Sequence, residues 1–392
     1  MKNVPRTILY LLILFCILFI LSLPKIISTR SPQNTVNVET NKTAHLLIIS
    51  PSPTPSPSPS SSPTPHPTPS PVPAMKQIKV LSIAYYPVKD NYLDKGVVNN
   101  SWQEYDMSLD QVRAKVKRLN DTVSSSLTIG TAYKKFKNSL ATPYINYTVV
   151  NHIELLEPIL TSNKTNPYDK KNKLTDYNKL FNDHIGCNLI DKQDIREIWL
   201  WSYTGLNRTG WESNFSSHVG DVGNSDKDTS DLPVCNHSYT VYEYNYGRET
   251  PEAIHDHIHQ FEGIFRFLNQ DLFWNRFVGY YPGNNLSQTG TPSLNHRCGW
   301  AHFPPNATKD YDWANMNSVT SDCSNWDPQG GPQESLTCQT WNCDQLGFFI
   351  YWMQNIPNAQ NNLTYQGSNL RNWWDFVVDF DAAISVKQDL VY

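Results

Sequence analysis

Three apolar patterns alternate along the chain. Lys79–Tyr86 is a short run of apolar and β-branched residues and predicts a strand. Ser108-Leu109-Asp110 reads as a helix start, and Val112, Val116 and Leu119 follow at helical spacing. Tyr144–Val150 predicts a second strand, and Tyr177–Ile185, with Leu180 and Phe181, a second helix. Ile195–Trp201 is apolar on both faces from Ile198 onward, as expected of a buried central strand. Tyr239–Tyr244 is β-branched and aromatic and predicts another strand. Strand, helix, strand, helix, strand implies an α/β fold with a mixed, mostly parallel sheet and flanking helices. A long polar loop, Thr204–Cys235, separates the last two strands. Residues 280–345 lose periodicity and are rich in Gly, Pro, Asn and Trp, which predicts an irregular, loop-rich C-terminal subdomain over the sheet.

The first 74 residues follow other rules. Ile8–Leu23 is an apolar run of 16 residues behind Lys2 and Arg6. At ~1.5 Å per residue it reaches ~24 Å, close to the span of a hydrocarbon core. No small-x-small cleavage site follows it, which favours a retained signal-anchor over residues 1–28; a cleaved segment would leave the rest secreted. Eleven prolines alternate with Ser or Thr between Pro51 and Pro73. Alternate prolines remove every second backbone donor, so residues 29–74 are expected to be an extended extracellular stalk. Residues 75–392 then form the extracellular globular domain, with the N-terminal helix as its membrane partner.

Charge removes one class of function. The chain carries −4 overall, and its first 74 residues hold five bases and one acid, so the body is more acidic than the total. An acidic body without a Lys/Arg run is a poor nucleic-acid partner. Six cysteines lie outside the apolar segment: Cys187, Cys235, Cys298, Cys323, Cys338 and Cys343. An even number in an exported domain points to disulfides, and six allow 15 pairings. Pairing in chain order, 187–235, 298–323 and 338–343, is the expectation adopted.

The candidate chemistry is on one helix. Thr250 reads as its cap, Pro251 as its first residue, and the helix runs to about Leu268. Ile254, Ile258, Phe261, Phe265 and Leu268 form the core stripe; His255, His259, Glu262 and Arg266 form a second stripe beside it. Imidazoles four residues apart offer two ligands to one Zn²⁺. Glu262 is placed to ligate in another way or to orient His259 from behind, and a third ligand is expected from residues 280–345, where His296 and His302 lie, with His302 favoured in Gly299-Trp300-Ala301-His302-Phe303-Pro304-Pro305-Asn306. A structural histidine cluster is the competing reading. Asp310, Asp312, Asp322, Asp327, Asp379 and Asp381 read as solvated or capping carboxylates, because no 12-residue calcium loop is present.

His255-Asp256-x-x-His259 resembles the His-Glu-x-x-His helix of the zincin metallopeptidases. The resemblance implies zinc on His255 and His259, Asp256 as general base, and Met353 as a floor under the metal. Asp256 is one methylene shorter than the family's Glu, and Glu212 is a second carboxylate for the role. Tyr244-Asn245-Tyr246, His302-x-Pro304-Pro305-Asn306 and Trp352-Met353-Gln354-Asn355 also resemble strings in a family of secreted bacterial surface proteins, a likeness that implies no activity. Two functions follow: a membrane-tethered zinc-dependent hydrolase, a peptidase included, or a non-enzymatic surface binding or adhesion module. Peptide or glycan is the expected extracellular ligand.

Overall fold

A computed structural model describes residues 74–99, 106–203, 205–279 and 296–392. The anchor expected over 1–28, the stalk up to residue 73 and the start of the loop-rich region, 280–295, lie outside the described residues. Contacts divide the chain into Met1–Ser70 and Pro71–Tyr392, and the described residues all belong to the second unit. No helix among the described residues is long and apolar enough to cross a membrane.

The fold is α/β. Five strands form the main sheet: β1 (Lys76–Tyr85), β2 (Ile145–Leu155), β3 (Ile195–Ser202), β4 (Asn214–Ser216) and β5 (Tyr239–Asn245), in the order β2-β1-β3-β5-β4. β1, β2, β3 and β5 are parallel, and β4 is antiparallel at the edge. β1 and β3 are central, so both faces are covered and their apolar runs are continuous rather than alternating. β4 was not expected: three residues inside a polar loop carry no readable period, and the strand exists because β5 supplies a partner. Its outer side is already used. Phe215 N donates to Asp221 Oδ1, Asn214 Nδ2 to Asp231 Oδ2 and Ser216 Oγ to the Pro233 carbonyl.

Helix α1 (Leu109–Gly130) starts where Ser108 predicts, with Ser108 and Gln111 capping each other reciprocally. Its stripe of Val112, Val116, Leu119 and Val123 is fully buried against the sheet. Helix α2 (Thr250–Leu268) follows β5, and α3 (Gln345–Met353) packs against both helices. The helix expected at Tyr177–Ile185 continues through a π-turn to Gln193. Strand alternation places it and α2 on opposite faces: Phe181 stacks on Tyr239, whereas His257 of α2 stacks on Tyr242.

The loop-rich region is held by covalent and polar ties. Cys298–Cys323 and Cys338–Cys343 close within it, and Cys187–Cys235 ties the long loop to the Tyr177–Gln193 helix, all three in chain order. Arg297 makes a buried bidentate pair with Asp322. Tryptophan indoles donate to backbone carbonyls of the region: Trp352 to Gly299, Trp313 to Ala301 and Trp341 to Trp313. These bonds explain the tryptophan density there, since each ring fills the core while its N–H satisfies an irregular backbone.

Between α2 and the sheet lies a buried polar group. Glu197 accepts from Trp199 Nε1 at 2.8 Å, His257 Nε2 is 4.0 Å from Glu197 and 2.6 Å from Tyr244 Oη, and Tyr147 and Tyr242 close the cluster. Burial pushes the Glu197 carboxyl up to about 8, against the opposing indole bond. A folded value above the unfolded one means the native state binds the extra proton. Stability should therefore fall as pH rises from about 4.5 to about 8, by a few kcal/mol in all. Glu197→Gln keeps an acceptor for Trp199 and should flatten that slope, melting higher than the native chain at pH 8. Parallel melting curves between pH 5 and 8 for the two proteins would disprove it.

Candidate metal centre

The amino end of α2 is fixed to α1. Glu249, not Thr250, is the N-cap residue, and it pairs with Arg118 and Lys115. Thr250 is the first helical residue and meets Thr122 Oγ1 at 2.6 Å, so its hydroxyl serves packing rather than capping. The apolar stripe from Ile254 to Leu268 is buried as the sequence predicts, which turns the second stripe towards the loop-rich region.

His302 arrives on a tight turn. Trp300 and Phe303 exchange both backbone bonds across Ala301-His302. Gly299 before it has φ +70°, and a Cβ there would lie 2.1 Å from the Phe303 carbonyl oxygen, so only glycine fits. Trp300 stacks flat on the His302 ring at 4.8 Å. Glu262 docks the turn on α2 by accepting from Ala301 N at 2.9 Å.

The three predicted imidazoles converge. Ring centroids are 4.4 Å apart for His255–His259, 5.0 Å for His259–His302 and 5.1 Å for His255–His302, and one nitrogen of each lies within 4.8 Å of the others. His259 Nδ1 lies 2.8 Å from Glu262 Oε2, and His302 Nδ1 lies 3.1 Å from Asp310 Oδ1. A carboxylate accepts only, so each assigns the proton of its ring to Nδ1. The two Nε2 atoms face one another at 3.1 Å. Two lone pairs at that distance repel, so the contact needs a cation between them, either a metal ion or a proton on one Nε2. His255 Nε2 is buried and has no hydrogen-bond partner.

Ligand atoms around a tetrahedral Zn²⁺ at 2.0–2.1 Å stand about 3.3 Å apart, so the His259–His302 spacing fits a shared ion. Burial, then the neighbouring His259 and His302, pushes His255 down to about 2 and keeps its lone pair free. Burial also lowers His302. Burial opposes a proton on His259 as well, but Glu262 outweighs it and raises this ring. These groups could hold a metal ion.

Asp256 Oδ1 is 3.8 Å from His255 Nδ1, and Glu212, His255 and Asp256 offer ligand atoms within 4.8 Å of one another. Burial, then the charge of Glu212, raises the Asp256 carboxyl well above its ordinary range. Glu212 is braced by Asn224 Nδ2, and Ser213 beside it accepts from Asn224 N. Both carboxylates line a cavity of about 310 Å³ at the carboxyl ends of β3 and β5. Its lining includes the Arg208–Glu243 pair, which is also bonded by Thr175, Tyr177, Ser202 and the Tyr203 carbonyl, while the buried Arg208 Nε has no hydrogen-bond partner.

Two expectations change. Phe349 of α3, not Met353, lies against His255, at 5.9 Å between rings; Met353 packs on Gly130 of α1 instead. Asp310 is exposed, as expected of a solvated acid, but it also partners His302 Nδ1. Asp312, which accepts from Thr308, Asp379, which caps a short helix, and Asp381, which accepts from Ser238, fit the expected pattern, whereas Asp322 does not, being buried in its pair with Arg297. Asp310 and Tyr311 follow His302 by eight and nine residues, and no periodicity links them to it; only the return of the loop does.

The fold and site together define an α/β domain with a helix-borne histidine centre closed by a disulfide-tied loop. No protein-family model matches the chain, and no curated protein matches it.

Proposed function

We propose that the protein is a zinc-dependent hydrolase, held to a membrane through its N-terminal segment with this domain outside. The observation that supports it is the convergence of three imidazoles, with the Nε2 atoms of His259 and His302 facing each other at 3.1 Å beside the unpartnered, buried Nε2 of His255. His255, His259 and His302 would hold the ion, while Glu262 and Asp310 keep two of the rings in the ligating tautomer. A bound Zn²⁺ supplies Lewis acidity towards a substrate oxygen and an attacking water. Asp256 and Glu212 line the cavity, where one accepts a proton from the attacking water and the other orients it. The bond from Phe215 N to Asp221 speaks against a peptide pairing along β4, and substrate is proposed to enter through the cavity beside the two carboxylates.

The test is metal-dependent hydrolysis of peptide, oligosaccharide and activated-ester libraries by the full-length chain. Asp256→Asn and Glu212→Gln remove a base but no ligand. At least one of them should keep the metal and lose hydrolysis by about 100-fold or more. Hydrolysis that survives a chelator, or is absent from the metal-loaded chain, overturns the reading; the latter result favours the surface-binding alternative.

A further inference from the structure

A second cavity, of about 470 Å³, lies at the other end of the sheet. Tyr144, which stands just before β2, lines it, and the Tyr144 carbonyl accepts from Lys76 N where β1 begins. Strands β1, β2, β3 and β5 are parallel, so this is the pole away from the cavity at the histidine centre. Its volume is that of an ordinary small-ligand pocket, about 300–1,000 Å³.

The wall holds its polar groups in fixed positions. Tyr144 Oη donates to Asp375 Oδ1 at 2.5 Å, and the buried Asn372 donates to the same oxygen from Nδ2 at 3.0 Å. These two bonds fix the plane of the carboxylate and leave Oδ2 without a partner among the described residues. At the rim, Asn362 and Asn369 are exposed, and their side-chain amides bond to no other described residue. Tyr392 completes the rim and is 60% exposed, yet it is held. Its N–H donates to the Asn369 carbonyl at 3.0 Å, Val391 before it pairs with Leu370, and the buried Arg371 guanidinium lies 5.7 Å from the ring centroid. An exposed aromatic ring fixed in this way is a stacking platform.

These groups favour one ligand class. Four asparagines, one carboxylate and two tyrosines line the cavity, with no Lys or Arg among the described residues, so an anion finds no partner there. Planar amides and a carboxylate offer paired donors and acceptors to adjacent hydroxyls. We infer that this cavity binds a neutral pyranose unit of a glycan chain, with Asp375 and the rim amides on its hydroxyls and its C–H face on Tyr392. The site does not depend on the metal reading. It places a glycan at the pole where the chain enters the domain, and leaves the cavity of the histidine centre open at the other.

The experiment is capture of the full-length chain on arrayed oligosaccharides, followed by calorimetric titration with the glycan it binds. The array carries neutral fragments of structural polysaccharides, neutral protein-type glycans, and acidic and amine-bearing glycans. The native chain should bind neutral spots, and the neutral set it prefers identifies the source. Tyr392→Ala and Asp375→Asn should each weaken binding by about 10-fold or more. Tyr392→Phe keeps the platform and should bind as the native chain does, and so should His259→Ala. Tyr392 is exposed, so Tyr392→Ala should melt with the native chain and reports on the site even where Asp375→Asn misfolds. No capture, capture of charged glycans alone, or undiminished binding in Tyr392→Ala overturns the inference. Loss of glycan from a folded His259→Ala moves the ligand to the histidine centre and overturns it equally.

Discussion

His259→Ala is expected to empty the metal centre. The full-length chain, purified without chelator, should carry about one equivalent of Zn²⁺ by elemental analysis, and the variant essentially none. His259 is central for two reasons: its Nε2 faces His302 at 3.1 Å, and its Nδ1 is held by Glu262 at 2.8 Å. Removing it deletes one of three imidazoles and leaves a buried carboxylate without its donor, so the remaining pair lacks both ligand number and order. His257→Ala is the control on the same helix. That ring faces the sheet, fully buried against Tyr242 and Tyr244. Its loss should leave the zinc in place but lower stability by about 2–4 kcal/mol, through a cavity and an unpaired tyrosine hydroxyl. Equal loss of zinc from both variants would mean that the site fails through general unfolding, and the ligand assignment would fall.

Reduction should be nearly as severe for the fold. Cys187–Cys235 spans 48 residues and Cys298–Cys323 spans 25. Loop-closure entropy puts such crosslinks at about 4 and about 3.5 kcal/mol. Ordinary domains have only about 5–15 kcal/mol in total. The second pair is fully buried, so the chain should be reduced while unfolded and then returned to native buffer with reductant. Such material is expected to melt far below the oxidised protein or to remain unfolded. Coincident melting curves would show that the disulfides contribute little, and that the indole bonds to Gly299 and Ala301 hold the loops unaided.

Much of this was legible in the chain because it is local. The Ser108–Gln111 cap, the buried runs of β1 and β3 and the two stripes of α2 each follow from residues within one or two turns of each other. The convergence of His255 and His259 is of that kind, and so is the contact of His259 with Glu262, three residues on. His302 was findable by residue type alone. What escaped is what depends on chain return. β4 exists by virtue of β5, Asp310 and Tyr311 reach His302 through a left-handed turn, and Phe349 rather than Met353 meets His255 because α3 packs one turn away from the expected register. The helix cap moved from Thr250 to Glu249 for the same reason, since two bases of α1 claim the Glu249 carboxylate.

The parallel strands also set a direction for the whole domain. The chain enters at Lys76, the amino end of β1, and ten strand residues carry it ~33 Å to Tyr85. The cavity lies at the carboxyl ends of β3 and β5, and His255 is on the second turn of the helix that descends from there. Entry point and site are thus at opposite poles of the sheet, separated by its full height. Anything attached through residue 74 meets the domain at its base, and the cavity opens at the other end. A change in the chain before residue 74 therefore reaches the domain at the pole away from the histidine centre, and leaves the residues of that centre and their packing as they are.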